Sequence, residues 1–133
     1  MSEYNEQVLV IAWSNTQLHR YPQLKWLHSS LNGVRLSFGL ARKAKNSGLK
    51  KGIADLFLPV RNMFYSGLYI EMKWEKNKQS IEQKDFQTFV ECQGYKYVLC
   101  YSAEKAIKEI QAYMAYVQSN KEVVSVHPNT ITT

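Results

Sequence analysis

The sequence predicts a single mixed α/β domain, and three observations predict it. Helix-type and strand-type segments interleave in the order α-α-β-β-α-β-α, with no internal repeat and no linker. The stretch Leu68 to Trp74 alternates strictly between apolar and polar positions, the period of a strand in a layered fold. The 133 residues, 45% hydrophobic and 21% charged, have ordinary globular composition and length enough to bury one core.

Each element has a local cause. Ser2 is placed to cap a first helix running to about Gln17, with Glu6, Leu9, Val10 and Trp13 at i, i+3, i+4 and i+7 on one face. Pro22 ends that element. Leu24 to Leu31 fits neither period, and Asn32-Gly33 reads as a turn. A second helix, 34–46, ends at Ser47-Gly48, with glycine in the place just past a helix C-terminus. Ile53 to Leu58 suits a buried strand, and Arg61 to Gly67 a hairpin-like connection. In the strand Leu68 to Trp74, Leu68, Ile70, Met72 and Trp74 point one way, while Tyr69, Glu71 and Lys73 point the other. Ser80-x-x-Gln83 opens a third helix with a capping-box pattern, and Gly94 closes it. Tyr95 to Tyr101 is a further strand. Ser102 caps a last helix whose Ala103, Ile107, Ile110, Met114 and Val117 form one apolar stripe. The domain takes in residues 1–119, and 120–133 reads as a loosely held tail.

Several function classes are excluded or weakened. No apolar run approaches the roughly 20 residues of a membrane span. The opening Met1-Ser2-Glu3-Tyr4 lacks the marks of a secretory signal, so an intracellular setting is expected. Cys92 and Cys100 form no C-x-x-C pair, and His19, His28 and His127 share no zinc-ligand spacing with them. Two buried, reduced thiols are the expectation. His28 and Tyr65 read as packing or loop residues.

Charge is distributed unevenly. The net charge is +6, and no acidic residue lies between Glu6 and Asp55. That stretch holds Arg20, Lys25, Arg35, Arg42, Lys43, Lys45, Lys50 and Lys51. A one-signed surface lacks its counter-charges, and phosphates would supply them. Arg42, Lys43, Lys45, Lys50 and Lys51 are the candidate nucleic-acid contacts.

The polar face of the 68–74 strand carries the chemistry. Glu71 and Lys73 stand two apart and emerge side by side. Asp55 lies at the mouth of the preceding strand, beside Glu71 if the two strands pair. Two converging carboxylates repel unless a cation sits between them, and hard oxygen ligands favour Mg²⁺ or Mn²⁺. Such an ion offsets charge on phosphoryl oxygens and acidifies a bound water, as phosphodiester hydrolysis requires. Lys73 would neutralise transition-state charge. Glu-x-Lys is a short motif, and Glu82-Gln83-Lys84 repeats it on a predicted helix, where residues two apart do not face one site. An exposed cross-strand ion pair is the bland alternative for the first copy. Gln83 points toward what its helix packs on, although capping alone accounts for a glutamine there. Glu6 shares the apolar face of the first helix and is a further candidate.

Gly52-Ile53-Ala54-Asp55-Leu56, Glu71-Met72-Lys73, Ser80-x-x-Gln83 and Gly94-Tyr95 together resemble the virus-type replication-repair nuclease (VRR-NUC) family of the PD-(D/E)-x-K nuclease superfamily. Glu6, Pro22, Leu24, Asn32-Gly33 and Gly48 extend the resemblance from residue 3 to about 118. It implies a restriction-endonuclease-like core, a central mixed β-sheet flanked by helices. It also implies that Asp55, Glu71 and the Met72 backbone carbonyl bind the metal and that Lys73 is the catalytic lysine. Gln83 would assist near the water or the lysine, and Glu6 would act in the outer shell or on a second ion. Ala54 stands where the family usually has proline, a difference of backbone shape more than chemistry. Compact members resemble phage-borne homodimers acting on branched DNA such as four-way junctions.

Rival readings are a non-catalytic nucleic-acid-binding module, a nuclease scaffold that has lost its chemistry, and a phosphoesterase of small nucleotides. The first leaves the grouping of Asp55, Glu71 and Lys73 unexplained. The second meets a full set of charged positions. The third needs only one or two basic residues, not eight.

Overall fold

Four strands form one sheet in the order β1-β2-β3-β4 in a computed structural model that describes residues 2–32 and 34–118. Strand β1 is His28–Ser29, β2 Leu56–Leu58, β3 Leu68–Met72 and β4 Lys96–Cys100. The first three run antiparallel and β3 pairs with β4 in parallel, so the sheet is mixed as expected. Gly33 and the expected tail over 120–133 lie outside the described residues.

The alternation of β3 divides the core into two. Leu68, Ile70 and Met72 face a large cluster built with Leu56, Leu58 and Cys100 from the other strands. Helices α1 (Glu3–Thr16) and α4 (Ala103–Met114) pack on each other and supply Val10, Ala106, Ile110 and Met114 to it. Tyr69 faces the other way, toward Ala54, Tyr97 and the Phe86 and Val90 side chains of α3 (Ile81–Cys92). The sheet is therefore sandwiched between α1/α4 and α3.

Capping sets the helix starts. Ser2, Ser37, Ser80 and Ser102 each accept a backbone N–H with the side-chain oxygen at the head of α1, α2 (Phe38–Asn46), α3 and α4. At Ser37 this shortens the expected 34–46 helix, because the cap holds extended backbone four residues later than the pattern suggests. Gly94, at φ 91°, ends α3 in the left-handed region that favours glycine.

Strand ends are also shorter than the apolar runs. Ile53 and Ala54 stay out of β2 because the Asn32 side chain takes the Lys50 and Ile53 carbonyls at 3.1 and 3.2 Å. Trp74 stays out of β3, and the next residue, Glu75, turns the chain at φ 52°. The segment 24–31, which has no clear period, splits into a short 3₁₀ turn, Pro22–Trp26, and β1. Of the two cysteines, Cys100 is buried as expected and Cys92 is exposed on α3.

The inward face of α1 differs from the expected one. Val10 and Ser14 are buried, whereas Leu9 is 47% exposed. Ser14 satisfies its hydroxyl on the Ile11 carbonyl at 2.8 Å, which lets a polar residue occupy a core position. One turn before Val10 on this face stand Glu6 and Gln7, and two turns before it stands Glu3.

Candidate active site

The register of β2 and β3 assembles the site. Leu56 pairs with Ile70, so Asp55, just before β2, falls opposite Glu71. Asp55, Glu71 and Lys73 are 8%, 2% and 7% exposed. An exposed ion pair is thereby excluded, and among the described residues Lys73 forms no ion pair with either carboxylate. Asp55 Oδ2 accepts the Met72 N–H at 2.7 Å, capping the strand edge where β2 has ended. Asp55 and Glu71 lie side by side, and each carboxyl alters the other's ionisation.

Gln83 does two things with one amide. Its Oε1 accepts the Ser80 N–H at 2.8 Å, completing the capping box, and its Nε2 donates to Glu71 Oε2 at 3.1 Å. The cap fixes the rotamer that delivers the second bond. The other oxygen of Glu71, Oε1, is buried without a hydrogen-bond partner.

These carboxyls resist ionisation. Burial and then the Asp55 charge push Glu71 up to about 9, against the opposing pull of Lys73. Burial raises Asp55 as well, partly offset by the hydrogen bond from the Met72 amide. Without a cation, burial beside Asp55 favours the protonated form of Glu71. A divalent ion would replace that proton and occupy the orphaned Oε1. No three His, Cys, Asp or Glu side chains converge on one point among the described residues. The donor set is thus two carboxylates plus backbone. The Met72 N–H faces Asp55, and in a strand the carbonyl of the same residue emerges on the same edge. Two carboxylates, a carbonyl and waters fit Mg²⁺ or Mn²⁺, which retain several waters in protein sites.

A cleft of about 270 Å³ opens onto the pair, lined among others by Glu3, Asn32, Lys51, Glu71 and Gln83. A neighbouring cleft of about 310 Å³ shares Glu3, Asn32 and Asp55 with it. Glu3, held at 3.1 Å by the Asn77 side chain, is therefore the helix-one acid at the site, and its charge raises both Asp55 and Glu71. Glu6 is half-buried one turn before Val10 and lines neither cleft. A helix capped at Ser2 places both Glu3 and Glu6 in its first turn, so no local signal in the sequence favours Glu3. Gly52 closes the wall. Its φ is 90°, and a Cβ there would lie 2.6 Å from the Glu82 carbonyl oxygen, so only glycine lets the basic loop meet the head of α3.

Of the expected nucleic-acid contacts, Lys51 lines the cleft itself. Lys50 lines an adjoining hollow, and Arg42 and Lys45 line a groove along α2. Lys43 is exposed on the same helix. His28 is exposed on the edge strand, bonded to the Trp26 carbonyl and edge-on to Phe57. Tyr65 lies under the Lys96 ammonium.

The sequence model of the VRR-NUC domain matches residues 1–104, which include all the cleft residues named above. A solved structure described as a VRR_NUC domain protein superposes with a TM-score of 0.71 at 26% identity, covering 87% of this chain and 90% of that one. No curated protein matches the chain.

Proposed function

The chain belongs to the VRR-NUC family, nucleases of the PD-(D/E)-x-K type that take DNA as substrate, and from that premise we propose a metal-dependent endonuclease centred on Asp55, Glu71 and Lys73. The observation that carries the proposal is the buried carboxyl pair with one Glu71 oxygen left unpartnered. A folded core tolerates such a pair poorly unless a cation completes it.

Asp55, Glu71 and the Met72 carbonyl hold the ion. Bound there, Mg²⁺ or Mn²⁺ supplies charge for the phosphoryl oxygens and a more acidic water. Gln83 locks the Glu71 carboxylate in one orientation through its 3.1 Å bond. Lys73, two residues along the same strand face, brings its ammonium toward the scissile phosphate and offsets developing charge. Glu3, not Glu6, contributes the outer acidic group. Lys51 meets the phosphate chain at the cleft wall, with Arg42, Lys43, Lys45 and Lys50 extending the track.

The active form in this proposal is a homodimer acting on branched DNA, because one small domain offers one centre while a four-way junction needs two cuts. No described helix is long and apolar enough to cross a membrane. A binding module without chemistry would need the basic track but not the buried acids.

The test incubates the protein with labelled duplex, flap and four-way junction in Mg²⁺, Mn²⁺ or chelator. Cutting is expected only with metal. Asp55→Asn should abolish it while binding stays within a few-fold of the parent, and Lys73→Ala should slow it by about 100-fold or more. Cutting by Asp55→Asn at the parental rate would contradict the assignment.

A further inference from the structure

Helix α2 has no buried residue, yet it carries the most exposed large hydrophobic side chain among the described residues, Phe38 at 83%. Leu40 beside it is 57% exposed. Folding explains neither, since a helix normally forms by burying an apolar stripe and this one buries none. The ring is not free to collapse: the Arg42 guanidinium, one turn on, sits 5.6 Å from its centroid. Phe38, Ala41, Arg42, Lys45 and Asn46 line a groove of about 410 Å³ along the helix. An aromatic face, a methyl, two cations and an amide form that lining, with no acid.

We infer that Phe38 is a stacking platform for an unstacked DNA base, by which α2 distinguishes interrupted from continuous duplex. The charge of the helix selects a polyanion, for Arg42, Lys43 and Lys45 stand here with no acidic residue between Glu6 and Asp55. The ring selects what kind. In continuous duplex every base face is covered by its neighbours, so a phenyl side chain finds a partner only at a branch, flap or gap. There, stacking on an aromatic ring is favourable and tolerant of sequence, while the neighbouring cations take the phosphates. The chain around α2 runs into the clefts at both ends: Asn32 and Val34 precede it, and Lys51 and Gly52 follow it. Phe38 is four residue steps from Val34, at most about 14 Å of chain, or about four base steps along a strand. A base held by Phe38 therefore places the backbone a few nucleotides from the carboxyl pair.

The inference rests on the nuclease reading for its choice of DNA, but its test does not require cutting. The fluorescent base 2-aminopurine is placed at the branch of a flap, and binding is followed in chelator. The parent should quench or enhance its emission, and Phe38→Ala and Phe38→Leu should abolish that change. Both variants should bind flap about ten-fold more weakly, bind continuous duplex within two-fold of the parent, and keep the parental salt slope. Phe38→Trp should restore the flap preference. An unchanged signal in Phe38→Ala, or equal losses on flap and duplex, would overturn the stacking role, as would a parent that responds to no unstacked base. If that parent nonetheless cuts DNA with metal, the nuclease reading survives alone. Loss of self-association in Phe38→Ala with no change on DNA would instead assign the ring to a second copy of the chain.

Discussion

Burial of Glu71 beside Asp55 makes the metal-free protein's stability depend on pH in a defined direction. In the unfolded chain Glu71 titrates near 4.5, and in the fold it is pushed up to about 9. Between those values the folded state binds more protons than the unfolded one, so stability is full below the window and falls as pH rises through it. In chelator, Tm should drop steadily from about pH 5 to about pH 9, and Glu71→Gln, which mimics the protonated acid, should flatten the drop. Saturating Mn²⁺ should restore Tm at the alkaline end and release protons on binding. A Tm flat across this range in chelator would remove the cost attributed to the pair. The directions of Glu71 and Gln83 were legible in the sequence from strand alternation and a capping pattern, whereas Asp55 reaches Glu71 only through the pairing of β2 with β3. The place of Glu3 was not legible. The expected face took in Leu9, which is exposed, and passed over Ser14, a buried polar residue that carries no apolar signal.

At the scale of the element, two connections carry the site. The capping box turns the head of α3 into the support for Glu71, so a helix-start signal and a site signal are one glutamine. The basic loop after α2 reaches that helix only through Gly52. Replacing Lys43, Lys45, Lys50 and Lys51 by glutamine should weaken DNA binding and reduce the slope of log K against log salt by about 0.9 for each phosphate that the protein no longer neutralises. An unaltered slope would take α2 and its loop out of the interface. Element type and order were readable from periodicity, capping serines and glycines. Lengths were not, since ends were decided by distant partners: Asn32 holds back Ile53, and Ser37 delays α2. Strand β1, two residues long, has no period to read; only its antiparallel pairing with Phe57 and Leu56 makes it a strand.

Over the whole molecule, the sheet divides labour between its faces. One packs α1 and α4 on an apolar core, and the other brings the polar positions of β3 under α3. The cleft opens where β2 has stopped and β3 continues, at the end from which the basic segment departs. Polyanion attraction and metal chemistry are thereby adjacent although distant in sequence, and eight of the 17 basic residues fall in one stretch of chain without an acid. That adjacency follows from the antiparallel register of β2 on β3, which no local pattern reveals. The claim at the centre is that Asp55 and Glu71 jointly ligate a divalent cation. Diffraction from Mn²⁺-soaked crystals at a wavelength sensitive to manganese tests it most directly. The account predicts an anomalous peak between the two carboxylates, in contact with Glu71 Oε1 and the Met72 carbonyl. A peak only elsewhere, or none at all at saturating Mn²⁺, would contradict it.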